Sequence, residues 1–143
     1  MQGEGREGLQ SKWSPPRVAR LLPRERLRRR LDGLLAESSV WITGSPGAGK
    51  TALIASYVEA RALPALWYDV DRGDADPAVC CDYLRRAVLS FSVEVAAALP
   101  VPEPALAGSF EPFLAHFFTA FYRAIAPRRP LVFDNCHQAA GTK

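Results

Sequence analysis

The chain has 143 residues, 48% of them apolar, and a formal net charge of +3. This length suits one modest domain with one hydrophobic core, and so small a charge does not favour direct DNA binding unless it is clustered. No apolar run approaches the ~20 residues of a membrane-spanning helix, and the polar N-terminal stretch does not have the form of a signal peptide. We therefore expect a cytoplasmic protein without a membrane partner, whose three cysteines are reduced.

The start of the chain divides into two predicted segments. Residues 1–14 are polar and lack periodicity, which predicts a disordered lead-in. Residues 15–37 are predicted to be an N-terminal helical segment, with Pro23 in the first turn of its helix. The apolar stripe of this helix comprises Leu27, Leu31, Leu34 and Leu35, and its opposite face carries Arg24, Arg26, Arg28, Arg29 and Arg30. That arginine face is either the solvated side of a core-packing helix or a surface that contacts phosphate or DNA.

A phosphate-binding loop comes next and is the most informative feature of the sequence. Residues 44–51 match the pattern G-x-x-x-x-G-K-S/T. The apolar run Ser38 to Thr43 precedes the loop and predicts a buried strand, and a helix-favouring run from Thr51 to Arg61 follows it. The predicted phosphate-binding residues are Gly44, Ser45, Pro46, Gly47, Ala48, Gly49, Lys50 and Thr51.

These residue types suit phosphate chemistry at this spacing. Glycines allow main-chain conformations that a Cβ would hinder, so successive N–H groups can form a concave nest at the positive end of a helix. Lys50 is expected to place its ammonium on the β- and γ-phosphates, and the Thr51 hydroxyl is expected to bind Mg²⁺. The alternative is a glycine-rich turn with an incidental lysine.

The middle of the chain predicts a strand and a helix. Residues 65–71 are an apolar, aromatic run typical of a strand. Asp76 is a suitable N-cap, and Pro77 a suitable first residue, for the helix that follows. The predicted buried stripe of that helix is Cys80, Tyr83, Leu84, Ala87, Val88 and Phe91.

A phenylalanine-rich helix precedes the last motif. Ser109 can cap it, and its apolar row runs from Phe110 to Ile125. Such a row lines either a ligand groove or a core, and we favour core packing. His116 lies off the row and is expected to be exposed.

Residues 131–135, Leu-Val-Phe-Asp-Asn, predict a final strand that ends in a carboxylate. Downstream of a phosphate loop, a carboxylate in this position is suited to hold Mg²⁺ through water, beside Thr51. Asp134 is therefore predicted as a metal ligand together with Thr51, and as a catalytic residue together with Lys50. The alternative is an ordinary turn residue.

Four blocks of this sequence resemble the ATPase domain of STAND regulators, the large bacterial transcriptional activators similar to the maltose-regulon activator and its LuxR-type relatives. The blocks are residues 22–27, residues 44–51, residues 67–74 with Tyr83-Leu84, and residues 131–137. The likeness spans roughly residues 15–140. The phosphate loop is general to P-loop proteins, whereas the block at 67–74 favours this family.

The resemblance implies an α/β fold of the P-loop NTPase kind, a three-layer α/β/α arrangement with a parallel sheet, of which residues 38–143 would be an incomplete, N-terminal portion. It implies ATP or ADP with Mg²⁺ as ligands, and places the segment around Arg24 near the adenine. It also implies a switch, in which ADP favours a closed resting form and ATP with an inducer favours an open, self-associating form. Slow hydrolysis would reset that switch.

Two departures from the family pattern alter these expectations. The family often carries a second acid after the metal-side Asp, but this chain has Asn135, whose amide can orient water and cannot accept its proton. The chain also ends at Lys143, before a strand that the family places between the phosphate-loop strand and the Asp134 strand. We therefore expect a fragment with weak or absent hydrolysis, separated from its lid, sensor repeats and DNA-binding domain.

Three functions remain open at this stage. The first is the nucleotide-binding module of a STAND-type transcriptional regulator. The second is a P-loop hydrolase or kinase with its own substrate, which would need a general base that the sequence does not reveal. The third is a non-catalytic fragment that contacts a partner through its arginine or phenylalanine face.

Overall fold

A computed structural model describes residues 12–17, 24–102, 110–125 and 129–140. The chain divides into two compact units, one of Pro15–Leu63 and the other of the stretches on either side, Met1–Ser14 and Pro64–Lys143. The boundaries that the sequence predicted after residues 14 and 37 stay predictions. Most of the predicted lead-in lies outside the described residues, as do Pro23 and Ser109.

The unit Pro15–Leu63 contains two helices, α1 (Glu25–Glu37) and α2 (Lys50–Ala60). Both confirm the sequence prediction to within two residues. Arg61, directly after α2, joins them by donating hydrogen bonds to Asp32 at 2.7 and 3.1 Å and to Glu25 at 3.2 Å. The Asp32 carboxylate holds the pKa of Arg61 above its ordinary value. This network explains why α1 belongs with the phosphate loop rather than to a separate segment.

The predicted strand from Ser38 to Thr43 is wrong for this structure. Residues 39–43 have no regular secondary structure, and within the described part of the chain they form no backbone–backbone hydrogen bond. Trp41 is 77% exposed, whereas the prediction buried both faces of this run. A strand needs a neighbour for its amides and carbonyls, and the described residues place none beside it.

The second unit contains a parallel pair of strands, β1 (Leu66–Asp69) and β2 (Leu131–Asp134), in which Leu66 lies opposite Leu131 and Asp69 opposite Asp134. The described residues combine helices with a small parallel sheet of two strands, which is compatible with the α/β class. The helices of this unit are α3 (Pro77–Leu89), α4 (Val93–Ala98) and α5 (Phe110–Ile125), with short 3₁₀ turns at Arg72–Ala75 and Cys136–Gln138. None of the helices in the described ranges combines the length and apolar character needed to span a bilayer.

The core of the second unit lies where β1, α3 and α5 meet. The predicted stripes supply half of its buried members, and β1 adds Leu66 and Tyr68. The stripe residues in the core are Leu84, Ala87, Val88, Phe117, Phe121 and Ile125. One detail differs, because Cys81 rather than Cys80 is fully buried, and this burial raises the pKa of the Cys81 thiol to about 12. All three cysteines are free, and His116 is exposed, as predicted.

The first turn of α3 offers a direct test of its predicted cap. The Asp76 carboxylate accepts a hydrogen bond of 2.9 Å from the amide of Ala78, and Pro77 occupies the first helical position. We expect Asp76→Ala to lower the free energy of unfolding by about 1 kcal/mol, measured by urea titration with circular dichroism. Asp82→Ala removes an ion pair to Arg86 that is half exposed, and should cost less than about 0.5 kcal/mol. Equal losses in the two variants would contradict the capping role.

Candidate phosphate-binding site

The loop ahead of α2 has the backbone shape that the glycine spacing predicted. Gly47 and Gly49 have φ angles of +79° and +78°, in the left-handed region. Gly49 is the N-cap of α2, so the chain turns sharply into the helix there. A residue with a Cβ pays roughly 1–2 kcal/mol for this conformation, which explains the glycines at both positions.

Several loop amides point to anion binding. The amide of Ala48 donates to the Ser45 carbonyl at 3.2 Å, which closes a tight turn. The amides of Gly47, Gly49 and Lys50 make no backbone–backbone bond within the described residues. Amides without a backbone partner at the positive end of a helix dipole are of the kind that binds phosphate oxygens.

Lys50 supplies the positive charge for this loop. Its ammonium donates to the Gly44 carbonyl at 2.8 Å and to the Ser45 carbonyl at 3.1 Å. The side chain thus folds back over the loop. A phosphate oxygen can replace these neutral carbonyl acceptors, since a hydrogen bond between two charged groups is about twice as strong.

Arg24 brings a second cation to the same loop. Its guanidinium donates to the Ala48 carbonyl at 3.3 Å, and its Nη2 lies 3.2 Å from the position that a Cβ on Gly49 would occupy. Of the two interpretations of the arginine face, phosphate contact therefore fits Arg24, whereas Arg29 is 78% exposed and fits the solvated one. The resemblance had placed this segment near the adenine, a role that the described contacts do not test.

Asp134 lies in the other unit, at the carboxyl end of β2. Its Oδ1 accepts a 2.9 Å hydrogen bond from the amide of Asn135, and its partner in register on β1 is Asp69. Asn135 adopts a left-handed conformation with φ of 57° and donates from Nδ2 to the Asp69 carboxylate at 2.8 Å. Asp69, Asp134 and Asn135 therefore share one edge of the parallel pair.

The predicted site residues consequently fall on both units. Residues 44–51 belong to the unit Pro15–Leu63, whereas Asp134 belongs to the other. Among the described residues, no cluster of three or more His, Cys, Asp or Glu side chains could hold a metal ion. The two predicted metal ligands, Thr51 and Asp134, thus remain a prediction.

Comparisons with protein-family models, with curated proteins and with solved structures each found no match for this chain. The interpretation of the site therefore depends on its own geometry.

Sequence reasoning overlooked two charged residues of this unit, Asp69 at the carboxyl end of β1 and Lys12 near the N-terminus. Asp69 could have been found, because two strands that each end in Asp will bring those residues together if they pair in parallel. Lys12 could not, since nothing in the polar lead-in distinguishes it from a solvated lysine. It is 8% exposed and ion-paired with Asp71 and Asp74.

Proposed function

We propose that this chain is an ATP- or ADP-binding P-loop module of a STAND-type transcriptional regulator. The observation that carries the proposal is the loop at residues 44–49, where two left-handed glycines precede α2 and the Lys50 ammonium folds over the loop carbonyls. Donor amides, a helix dipole and a lysine converge there, which is the chemistry that a polyphosphate requires. The family assignment rests on the sequence blocks alone.

The proposed fold is the three-layer α/β/α P-loop arrangement with a parallel sheet. The parallel pairing of β1 with β2 supports it, because a parallel sheet is the sheet type of this fold.

Each residue of the loop has a distinct task in this proposal. The amides of Gly47, Gly49 and Lys50 bind phosphate oxygens, the Lys50 ammonium neutralises the β- and γ-phosphates, and Arg24 adds charge at the Ala48–Gly49 peptide. Mg²⁺, when bound, would bridge and neutralise phosphate oxygens, and Thr51 and Asp134 are the residues proposed to hold it. The remaining parts of the regulator, its lid, sensor repeats and DNA-binding domain, are the proposed partners, with self-association as the output of nucleotide exchange.

Hydrolysis by this module is proposed to be slow. Asn135 stands where the family often has a second acid, and its amide nitrogen is engaged with Asp69. An amide cannot accept a proton from attacking water. Slow turnover suits a switch whose two nucleotide states must persist long enough to be read.

Nucleotide titration tests the proposal most directly. We expect a fluorescent ATP or ADP analogue with Mg²⁺ to bind the wild-type chain, and Lys50→Ala to weaken binding by about 100-fold, which corresponds to roughly 2.7 kcal/mol for one charge-assisted contact. Arg30→Ala is the matched control, because it removes one exposed positive charge from α1, away from the loop. It should change affinity less than about twofold. Equal affinity for wild type and Lys50→Ala would overturn the proposal.

A further inference from the structure

A second cation site lies in the unit that contains the sheet, and the proposed nucleotide chemistry does not use it. The ammonium of Lys12 is held by two carboxylates, Asp71 at 2.5 Å and Asp74 at 2.8 Å. It also lies over two aromatic rings, 5.0 Å from the centroid of Tyr68 and 4.9 Å from that of Tyr83. These four residues are called the ammonium cage below.

The cage is built independently of Lys12. Asp71 and Asp74 cap the 3₁₀ turn at Arg72–Ala75 reciprocally, with the amide of Gly73 donating to Asp71 at 2.8 Å and the amide of Asp71 donating to Asp74 at 2.8 Å. Tyr68 is fully buried on β1, and its hydroxyl donates to Asp74 at 2.6 Å. Backbone bonds and core packing therefore fix both carboxylates and one ring.

The chemistry of the cage selects a primary ammonium ion. Two carboxylates accept two of its N–H bonds, and two ring faces attract its charge, an interaction that strengthens as water is excluded. The Asp74 side chain is 2% exposed, whereas the Asp71 side chain is 60% exposed. The cage is therefore buried on the Asp74 side and borders solvent on the Asp71 side. A quaternary ammonium ion could meet the rings, but it has no N–H for the carboxylates.

We propose that Tyr68, Tyr83, Asp71 and Asp74 form a binding site for primary alkylammonium groups, which Lys12 fills from within the same chain. Its ligand class is the lysine side chain or a small primary amine of the same shape. Trp13, the next residue, packs against the core of this unit, so the segment that carries Lys12 has an anchor of its own. Lys12 therefore competes for the cage with any primary amine in solution.

Rescue of a cavity variant tests this site. Lys12→Ala removes the resident ammonium, and we expect about 50 mM n-butylammonium chloride to raise the thermal midpoint of that variant by about 3–6 °C, by binding the folded state alone. The wild-type chain should show no shift, because Lys12 already fills the cage. Lys12→Met is the matched control, since its side chain occupies the space without a charge, and it should also show no shift.

Two further measurements test whether the shift comes from specific binding of the ammonium group. One controls for a general salt effect, and the other tests the contribution of the Tyr83 ring. Tetramethylammonium chloride at the same concentration should leave the Lys12→Ala midpoint unchanged, and the added change Tyr83→Leu should at least halve the n-butylammonium shift. A synthetic peptide of residues 10–17 distinguishes a lysine side chain from a free amine as the source, since it should reproduce the shift at lower concentration. Equal shifts with both ammonium salts, or no shift with n-butylammonium, would overturn the proposal.

An unstable variant would not remove the test. If Lys12→Ala is unfolded at every temperature, n-butylammonium must restore its helical circular dichroism, and failure to do so overturns the proposal. In the wild-type chain, pulse acetylation read by mass spectrometry should modify Lys12 at least about tenfold more slowly than Lys50, because the Lys12 side chain is 8% exposed and its carboxylate partners favour the protonated, unreactive form. Equal rates at the two lysines would contradict occupation of the cage.

Discussion

Phe117→Ala is expected to lower the free energy of unfolding of this chain by about 3–5 kcal/mol, a large part of the 5–15 kcal/mol that holds a typical domain together. Phe117 is fully buried on α5, and its ring is stacked on that of Phe121 with centroids 5.9 Å apart. It also meets the ring of Phe118 edge-on at 5.5 Å. Truncation leaves a cavity that these stiff neighbours cannot close, so the lost transfer energy and the lost packing add together.

Tyr122→Ala is the matched control for this prediction. Tyr122 lies on the same helix and contacts the rings of Phe118 and Phe121, but it is 49% exposed. We expect its removal to cost less than about 1 kcal/mol. The measurement is a urea titration of each variant followed by circular dichroism. A similar loss in the two variants would show that the phenylalanine row is not the core of this unit.

Lys12→Met is expected to cost about 3 kcal/mol near neutral pH, because it leaves the buried carboxylate of Asp74 without its cation. Two ionisations govern how this cost depends on pH. Hydrogen bonding to Lys12 holds the pKa of Asp71 below its ordinary value. Burial alone would lower the pKa of Lys12, but its hydrogen bonds to Asp71 and Asp74 and their charges outweigh burial and raise it.

The difference in stability between wild type and Lys12→Met should therefore be largest between about pH 5 and pH 10. It narrows in acid, because the contribution of Asp71 is lost as the pH falls through its lowered folded-state pKa. It narrows again in alkali, because the contribution of Lys12 is lost as the pH rises through its raised folded-state pKa. Urea titrations across this range measure the difference, and a constant difference would contradict a stabilising ion pair. Arg86→Met, which breaks an exposed pair with Asp82, should cost less than about 0.5 kcal/mol at every pH.

The features that were predicted correctly are those encoded by neighbouring residues. Helices α1, α3 and α5 follow from their apolar periodicity, α2 from its helix-favouring residues, and the Asp76 cap from local hydrogen-bonding chemistry. The left-handed turns at Gly47 and Gly49 follow from the glycine spacing, because only glycine adopts them cheaply. The pattern around residues 44–51 could therefore be interpreted without any knowledge of the fold.

Contacts between distant residues decided the rest. The run before the loop has the composition of a strand, yet residues 39–43 form no ladder, since pairing depends on a partner that composition does not specify. Lys12 meets Asp71 and Asp74 across about sixty positions of sequence, and Asn135 meets Asp69 across sixty-six. Apolar periodicity does not predict such long-range contacts, because the burial and charge environment of a side chain depend on which remote segments pack around it. The left-handed turns at Gly47 and Gly49 were thus determined by the local sequence, whereas the ammonium cage and the carboxylate–amide pair at the strand ends exist only through tertiary packing.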